Sequence, residues 1–252
     1  MDKYFKNTTD YKSVDYTYLL LVLVESRLYV TLNRANKRNA FTPLMINELA
    51  YVMQGVNEDE GVKVVVLQAL GPVFCAGMDL KIFRGESKEE IPQKFASEGI
   101  TMSLALRQLD KPLVAVCEGP VIAGGFLIIN ESTLVLARED VWFSLPEIEI
   151  GLFPFQVMEK LPSIVGERKA MQYALTGQKI DTQEALSSGL INEIFTKDSR
   201  EEVLSKLISK VENAEVGLLT AAMKSMKMLK SLPEKERIPA LKEILDSFSG
   251  SK

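Results

Sequence analysis

Two stretches of this chain are almost continuously apolar and rich in β-branched residues. They are VKVVVLQA at residues 62–69 and KPLVAVCE at residues 111–118. A strand with one face in water alternates apolar and polar residues, whereas a strand covered on both faces does not. Both stretches therefore predict strands inside a parallel sheet with helices on its two faces, which points to an α/β fold.

The neighbouring segments fit the same architecture. Residues 18–24 and 27–33 predict the two strands of a hairpin. The next helix is expected to begin after Thr42, which would cap its N-terminus, with a proline at the first helical position. Two later stretches lack a periodic pattern. We interpret the charged residues 84–97 as a mobile surface segment and residues 141–155 as irregular.

The C-terminal part of the sequence predicts mainly helices. Residues 167–177 end in a glycine that is suited to close a helix, and Asp181 with Glu184 resembles a capping box at the start of the next one. Three amphipathic segments follow, at about residues 199–213, 215–231 and 234–248. The sequence thus predicts an α/β core followed by a C-terminal helical region.

The chain contains no histidine, and this absence restricts its chemistry. Ser-His-Asp and Cys-His catalysis, H-E-x-x-H metal sites and any histidine general base are excluded. Two cysteines, Cys75 and Cys117, cannot form a usual zinc site, and we interpret both as small buried apolar residues in a reducing compartment. Any reaction must therefore rest on carboxylates, lysines, tyrosines or backbone dipoles.

The charge and the apolar runs indicate no nucleic acid and no membrane as partners. The formal net charge is −4, whereas general nucleic-acid binders carry a strong basic excess. The longest apolar runs, residues 18–24 and 121–129, are shorter than a membrane-spanning helix. The first residues lack the apolar region of a signal peptide, so we expect a cytoplasmic location.

Each of the two buried strands is followed by a turn of small residues, FCAGMD at 74–79 and GPVIAGG at 119–125. Ligands of α/β proteins bind beyond the carboxyl ends of strands, where such turns expose N–H groups. The second turn has the glycine spacing of a phosphate loop. However, Gly125 and Phe126 stand where Lys and Ser or Thr would be required, which excludes nucleotide hydrolysis. Either turn alone is also explained by glycines that permit tight packing.

From about residue 18 to residue 196 the chain resembles the crotonase superfamily, also called the enoyl-CoA hydratase/isomerase family. The resemblance lies in five motifs in family order: LNRANKRNAF, FCAGMDL, KPLVAVCEGPVIAGG, SLPEIEIGLFP and ALTGQKIDTQEALSSGLINEI. It implies a crotonase-like ββα spiral core with an acyl-CoA site over residues 1–196. Residues 197–252 would form a helical oligomerisation region that is shorter than usual, in a homotrimer or homohexamer. It implies no metal, and no cofactor except coenzyme A as part of the thioester substrate.

The same resemblance assigns roles to the two turns. The backbone N–H groups of Ala76 and Gly124 are implied to form an oxyanion hole for the thioester oxygen, which becomes negative when a neighbouring proton is removed. Lys37, Arg38, Lys81 and Arg84 are candidates for the CoA phosphates, although a solvated basic loop explains each of them equally well. The residues implied to border CoA are Lys37, Arg38, Ala76, Gly77, Met78, Asp79 and Leu80.

The resemblance also bears on which carboxylate acts. Hydratases of the family use two glutamates; Glu147 matches one of them, but Leu127 stands at the position of the other. Because leucine can neither orient water nor accept a proton, we favour Δ3,Δ2 double-bond isomerisation with Glu147 as the single acid/base. Glu131, Glu118 and Glu149 are rival carboxylates. Hydration, decarboxylation and a catalytically weak acyl-CoA-binding role stay open as alternatives.

Overall fold

The computed structural model describes residues 4–249, and within them the strands form two sheets. The strands are Leu19–Val24 (β1), Arg27–Leu32 (β2), Val64–Ala69 (β3), Leu113–Cys117 (β4), Val121–Ile122 (β5), Leu134–Arg138 (β6), Trp142–Ser144 (β7), Ile180–Asp181 (β8) and Glu193–Phe195 (β9). The larger sheet has the order β1-β2-β3-β4-β6-β9, antiparallel between β1 and β2 and parallel elsewhere. The smaller sheet has the order β5-β7-β8.

The α-helices follow the predicted pattern in the main. They are Pro43–Asn57 (α1), Leu80–Phe83 (α2), Met102–Arg107 (α3), Phe126–Glu131 (α4), Phe155–Met158 (α5), Leu161–Val165 (α6), Glu167–Thr176 (α7), Thr182–Ser187 (α8), Arg200–Asn213 (α9), Val216–Ser231 (α10) and Glu234–Ser249 (α11). Short 3₁₀ helices cover Ala35–Lys37, Ala123–Gly125 and Pro146–Ile150. The cap at Thr42 is confirmed, since its hydroxyl accepts a hydrogen bond from the Met45 N–H at 3.2 Å. Among the described helices, none has the length and apolar character that crossing a bilayer requires.

Both faces of the larger sheet are covered, as the two apolar stretches predicted. β3 and β4 are parallel neighbours, with Val65 opposite Leu113. Alternate residues of these strands enter the main core, which contains α1, α3 and α4. The remaining ones pack on the opposite face against α9. This second cluster consists of Val64, Val66, Val114, Val116, Leu136, Phe195, Leu204 and Ile208. Two-sided burial is the reason why these strands do not alternate apolar and polar residues.

The three C-terminal helices begin at Arg200, a few residues after the predicted boundary between residues 196 and 197. The first of them, α9, is attached to the sheet by the paired hydrogen bonds of Arg27 to Glu212, at 2.5 and 2.8 Å. The second, α10, is fastened by Lys227, whose ammonium group donates to the Leu109 carbonyl and to Asp110, both at 2.7 Å. The division into two regions stays a prediction.

The segment before β1 covers α1, which no pattern in the sequence had indicated. The Gln54 side chain pairs with both backbone groups of Phe5, at 3.1 and 2.7 Å. Further along, the Glu48 carboxylate accepts the N–H groups of Thr17 and Tyr18, at 2.6 and 3.0 Å. Helix α1 is therefore buried over almost its whole circumference.

Two interpretations of unpatterned sequence need correction. Residues 141–155 contain β7 and a 3₁₀ helix, because a three-residue strand is too short to show a period. Residues 84–97 form neither helix nor strand, but they are attached to the core. Glu89 accepts hydrogen bonds from the Tyr18 hydroxyl at 2.9 Å and the Leu44 N–H at 2.7 Å, and the ring of Phe95 is buried.

Candidate active site

The two glycine turns meet beyond the carboxyl ends of β3 and β4. Cys75 and Val121 form a parallel β-bridge, and the Ile122 N–H donates to the Cys75 carbonyl at 2.9 Å. A Cβ atom added to Gly77 would lie 2.9 Å from the nitrogen of Gly124. The two backbones thus touch at Gly77 and Gly124, whereas the family resemblance had paired Ala76 with Gly124.

The backbone conformation of the first turn requires glycine. Gly77 has φ +86°, in the left-handed region that residues with a Cβ avoid. Gly125 in the second turn is equally constrained by space, because an added Cβ would lie 2.6 Å from the Cys75 carbonyl oxygen. Small residues are therefore needed in both turns so that the two backbones can approach each other.

The prediction that the Ala76 N–H helps to hold the thioester oxygen needs correction. This group already donates to the Arg38 carbonyl at 3.1 Å. The neighbouring Gly77 carbonyl accepts from the Phe41 N–H at 2.8 Å, and the described peptide bonds are all trans. Since N–H and C=O point in opposite directions across a trans peptide, the Met78 N–H points away from Phe41. Within residues 4–249, neither it nor the Gly124 N–H donates to another loop or strand.

A cleft of about 320 Å³ lies on one side of the first turn. Its lining residues are Asn36, Lys37, Arg38, Ala40, Ala76, Met78, Asp79, Leu80 and Lys81. Six of the seven residues implied to border CoA are among them; Gly77 is the exception. Arg84 lies outside this lining, 3.9 Å from Glu86. The cationic ends of Lys37, Arg38 and Lys81 make the cleft suitable for phosphate groups.

The negative charge of Asp79 does not neutralise the cations of this cleft, because Asp79 is already paired with Arg34. Its carboxylate accepts a hydrogen bond from the Arg34 guanidinium at 2.8 Å. Partial burial would raise the pKa of Asp79, but the Arg34 guanidinium and backbone N–H groups outweigh that effect and lower the pKa below its ordinary value. The side chains of Lys37, Arg38 and Lys81, which line the cleft, are exposed.

A second cavity, of about 230 Å³, lies on the other side of the same turn. It is lined by Phe41, Pro43, Ile46, Asn47, Met78, Ile91, Ser97, Gly99, Ile100, Thr101, Met102, Leu127 and Gln156. Met78 lines both spaces, so the phosphate-suited cleft and the largely apolar cavity meet at the first turn. Such an arrangement fits a ligand with a charged part and an apolar part joined near the Met78 backbone.

Glu147 follows the strand that neighbours the second turn. β5 and β7 are parallel, with Ile122 opposite Ser144. Gly124 lies two residues after Ile122, and Glu147 lies three residues after Ser144, so both follow the same end of this strand pair. One carboxylate oxygen, Oε2, is buried and has no hydrogen-bond partner among the described residues. Burial raises the pKa of Glu147, and its own backbone N–H only partly offsets this. An unpaired buried carboxylate is unfavourable in a resting fold and is suited to accept a proton.

The rival carboxylates are occupied or exposed. Glu131 is 4% exposed and pairs with Arg107 at 2.5 Å and Lys160 at 3.0 Å. Its burial would raise the pKa, but these cations outweigh burial and lower it. Glu118 lies 3.4 Å from Arg200, and Glu149 is exposed. Of the four candidates, Glu147 is therefore the one whose surroundings favour proton transfer.

The remaining predicted residues are buried as apolar groups. Leu127 is 4% exposed and contributes to the wall of the second cavity, one helical turn after Gly124. Cys75 and Cys117 are fully buried. Burial raises the pKa of Cys75 to about 12 and also raises that of Cys117, so both thiols stay protonated at neutral pH. Thiol chemistry therefore has no place at this site.

We expect Glu147→Gln to increase the free energy of unfolding at neutral pH. The folded-state pKa of Glu147 is raised above the ordinary 4.5, so keeping the carboxylate ionised in the fold is unfavourable. Below about pH 4.5 the carboxyl is protonated in both states and the difference vanishes. Urea unfolding of both proteins between pH 4.5 and pH 8 should show a gain that grows with pH.

The matched control is Glu149→Gln, which removes an exposed carboxylate two residues away. Because the side chain is exposed, the substitution should leave the free energy of unfolding at pH 8 close to the wild-type value. A Glu147→Gln protein that is less stable than the wild type at pH 8 would contradict the assignment of Glu147 as an unfavourably buried carboxylate.

The chain is similar to a family of known proteins, both in sequence and in structure. A sequence model described as Enoyl-CoA hydratase/isomerase matches residues 25–251. A hydroxycinnamoyl-CoA hydratase-lyase of Pseudomonas fluorescens is 30% identical over 81% of this chain and 76% of its own. A peroxisomal Delta(3,5)-Delta(2,4)-dienoyl-CoA isomerase of Arabidopsis thaliana is 28% identical over 69% and 67%. The solved structure of Pseudomonas aeruginosa AtuE has a TM-score of 0.82 at 27% identity, covering 93% of this chain and 92% of that one.

Proposed function

The chain belongs to the enoyl-CoA hydratase/isomerase family of crotonase fold, whose members act on acyl-CoA thioesters, and on this basis we propose that it is a Δ3,Δ2-enoyl-CoA isomerase. The observation that carries the proposal is the Glu147 carboxylate in the 3₁₀ helix that follows β7, whose oxygen Oε2 is buried and has no hydrogen-bond partner among the described residues. Of the three rival carboxylates, Glu131 is held by two cations, Glu118 lies beside Arg200, and Glu149 is exposed.

In the proposed reaction, the Glu147 carboxylate removes a proton from C2 of the acyl group. The C–H electron pair moves into the C2–C1 bond, and negative charge develops on the thioester oxygen. We assign the Met78 and Gly124 N–H groups as the donors to this oxygen, since they lie on the two turns that touch and, within residues 4–249, donate to no other loop or strand. The protonated Glu147 then returns the proton to C4, and the double bond moves from C3–C4 to C2–C3.

The wall formed by Leu127 supports isomerisation over hydration. Hydration needs a second group that orients a water molecule and exchanges protons with it, and a buried leucine offers no such group. The apolar surroundings also exclude water from the dienolate, which favours return of the proton from Glu147. Coenzyme A would enter as part of the substrate, and Lys37, Arg38 and Lys81, which line the cleft, would meet its phosphates.

Hydration is the second candidate function. One of the relatives named above is a hydratase-lyase, and Glu147 with its buried Oε2 would serve either reaction. A hydratase would have to take its second polar group from the substrate, or from a residue that this structure holds in another pairing.

The deciding assay measures the ultraviolet absorbance of the conjugated thioester. We expect purified protein to generate this absorbance from a 3-enoyl-CoA and to leave it unchanged with a 2-enoyl-CoA. Loss of absorbance from the 2-enoyl-CoA would show that the protein hydrates it and would overturn the isomerase assignment. Tight binding of both esters without any absorbance change would instead favour a role in acyl-CoA binding.

A further inference from the structure

The largely apolar cavity also has polar lining residues, and two of them, Asn47 of α1 and Ser97, form a hydrogen-bonded pair that we call the polar corner. Asn47 is 3% exposed, yet it contributes to the cavity lining. The Ser97 hydroxyl donates to Asn47 Oδ1 at 2.6 Å. In turn, Asn47 Nδ2 donates to the Pro43 carbonyl at 2.8 Å. The two side chains therefore hold each other in one arrangement at the cavity surface.

This polar corner has unused hydrogen-bonding capacity. A side-chain amide has two N–H donors and two acceptor lone pairs on its oxygen, and a serine hydroxyl has one donor and two lone pairs. Within residues 4–249 the Asn47 amide forms only the two bonds given above. One N–H of Asn47 and the lone pairs of Ser97 are thus left to meet whatever fills the cavity.

The combination of a donor and acceptors selects the kind of group that fits. No lysine, arginine, aspartate or glutamate is present in the described lining, so a charged substituent would lose its hydration without compensation. A ketone oxygen would accept from Asn47 but would leave the Ser97 lone pairs unmet. A hydroxyl group both accepts and donates, and it therefore matches the corner at both positions.

We infer that the acyl group of the natural substrate carries a hydroxyl group remote from the thioester and that this hydroxyl binds to Asn47 and Ser97. The inference rests on the proposed function, because it assigns the acyl part of the ligand of the same site. Met78 belongs to the first turn, which carries one of the assigned oxyanion donors, whereas the polar corner belongs to α1 and the segment that follows residue 84. An unsubstituted chain would leave buried polar groups unpaired, and sites of this kind discriminate strongly against such chains.

Two pairs of ligands test the inference. The first pair consists of saturated acyl-CoAs of equal length with and without a terminal hydroxyl group, whose dissociation constants are measured by titration calorimetry. The second pair consists of the corresponding 3-enoyl-CoAs, whose kcat/KM values are measured. We expect wild-type protein to bind and convert the hydroxylated member at least about 10-fold better, in line with the cost of an unpaired buried polar group.

The variants Asn47→Leu and Ser97→Ala separate recognition from general packing. Asn47→Leu keeps the number and branching of the side-chain heavy atoms and removes both donor and acceptor, so the preference for the hydroxylated ester should fall to about one or reverse. Ser97→Ala is the milder change, at a partly buried position, and should reduce the preference while the protein stays folded. A purely structural role would weaken both members of each pair equally and leave their ratio unchanged.

Each outcome addresses one proposal. A binding preference for the hydroxylated ester without turnover of either 3-enoyl-CoA would support this inference and overturn the isomerase assignment. Turnover of both 3-enoyl-CoAs without any preference, or with the same preference in Asn47→Leu, would overturn the inference and leave the assignment intact. Failure of wild-type protein to bind any of the esters would overturn both.

Discussion

Glu147→Gln should reduce the turnover of a 3-enoyl-CoA by about 1,000-fold, within the range that general acid–base catalysis contributes. Glutamine has nearly the same shape but cannot take a proton from C2. Because the amide keeps the volume of the buried side chain, the affinity for a non-reactive acyl-CoA should change little. Steady-state kinetics with calorimetric binding of a saturated acyl-CoA separates the two effects.

Glu149→Gln provides the control for this experiment as well, since Glu149 lies in the same 3₁₀ helix and is exposed. It should retain wild-type activity. If Glu149→Gln lost activity and Glu147→Gln retained it, the acid/base would have to be reassigned to the exposed carboxylate. Exchange of the C2 proton with deuterated water offers an independent measurement. This exchange should be lost in Glu147→Gln and retained in Glu149→Gln.

Gly77→Ala should reduce kcat by about 100- to 1,000-fold, as the loss of one oxyanion donor does elsewhere. The added methyl group would lie 2.9 Å from the Gly124 nitrogen, and this contact is with backbone that cannot rotate away. The turn must therefore shift, which displaces the Met78 and Gly124 N–H groups relative to each other. The left-handed φ of +86° adds about 1–2 kcal/mol of instability.

Gly85→Ala separates the loss of stability caused by the left-handed φ from the displacement of the two N–H groups. Gly85 also has a left-handed φ, +71°, but an added Cβ there would meet no described atom within 4 Å. It should lose similar stability in thermal or urea unfolding and keep its activity. Equal losses of kcat in the two variants would show that reduced stability, and not displacement of the two N–H groups, explains the Gly77→Ala result.

Features with a local cause were predictable from the sequence. The strands β3 and β4 follow from continuous apolar runs, and the start of α1 follows from Thr42 with a proline after it. The meeting of the two turns followed because both strands are parallel and end at the same edge. In each case a few neighbouring residues, or one rule about parallel sheets, contained the information.

Features that depend on distant partners were not predictable. The Ala76 N–H donates to the Arg38 carbonyl, and for this reason we assign Met78 and not Ala76 as a donor to the thioester oxygen. No motif in the sequence indicates this hydrogen bond. The polar corner joins Asn47 to Ser97, fifty positions later in the chain. Likewise, the covering of α1 by the first residues depends on side chains such as Gln54, whose partners could not be identified in advance.

The strand order of the larger sheet has a consequence for how the chain is made. Reading β1-β2-β3-β4-β6-β9 across the sheet is also reading along the chain, so each strand that leaves the ribosome can join the free edge left by its predecessor. The helix that covers the face containing Val64 and Val114 comes only afterwards, at Arg200–Asn213. A nascent chain stalled before residue 200 would therefore display a broad apolar surface, and it is at this stage that a chaperone would have most to bind.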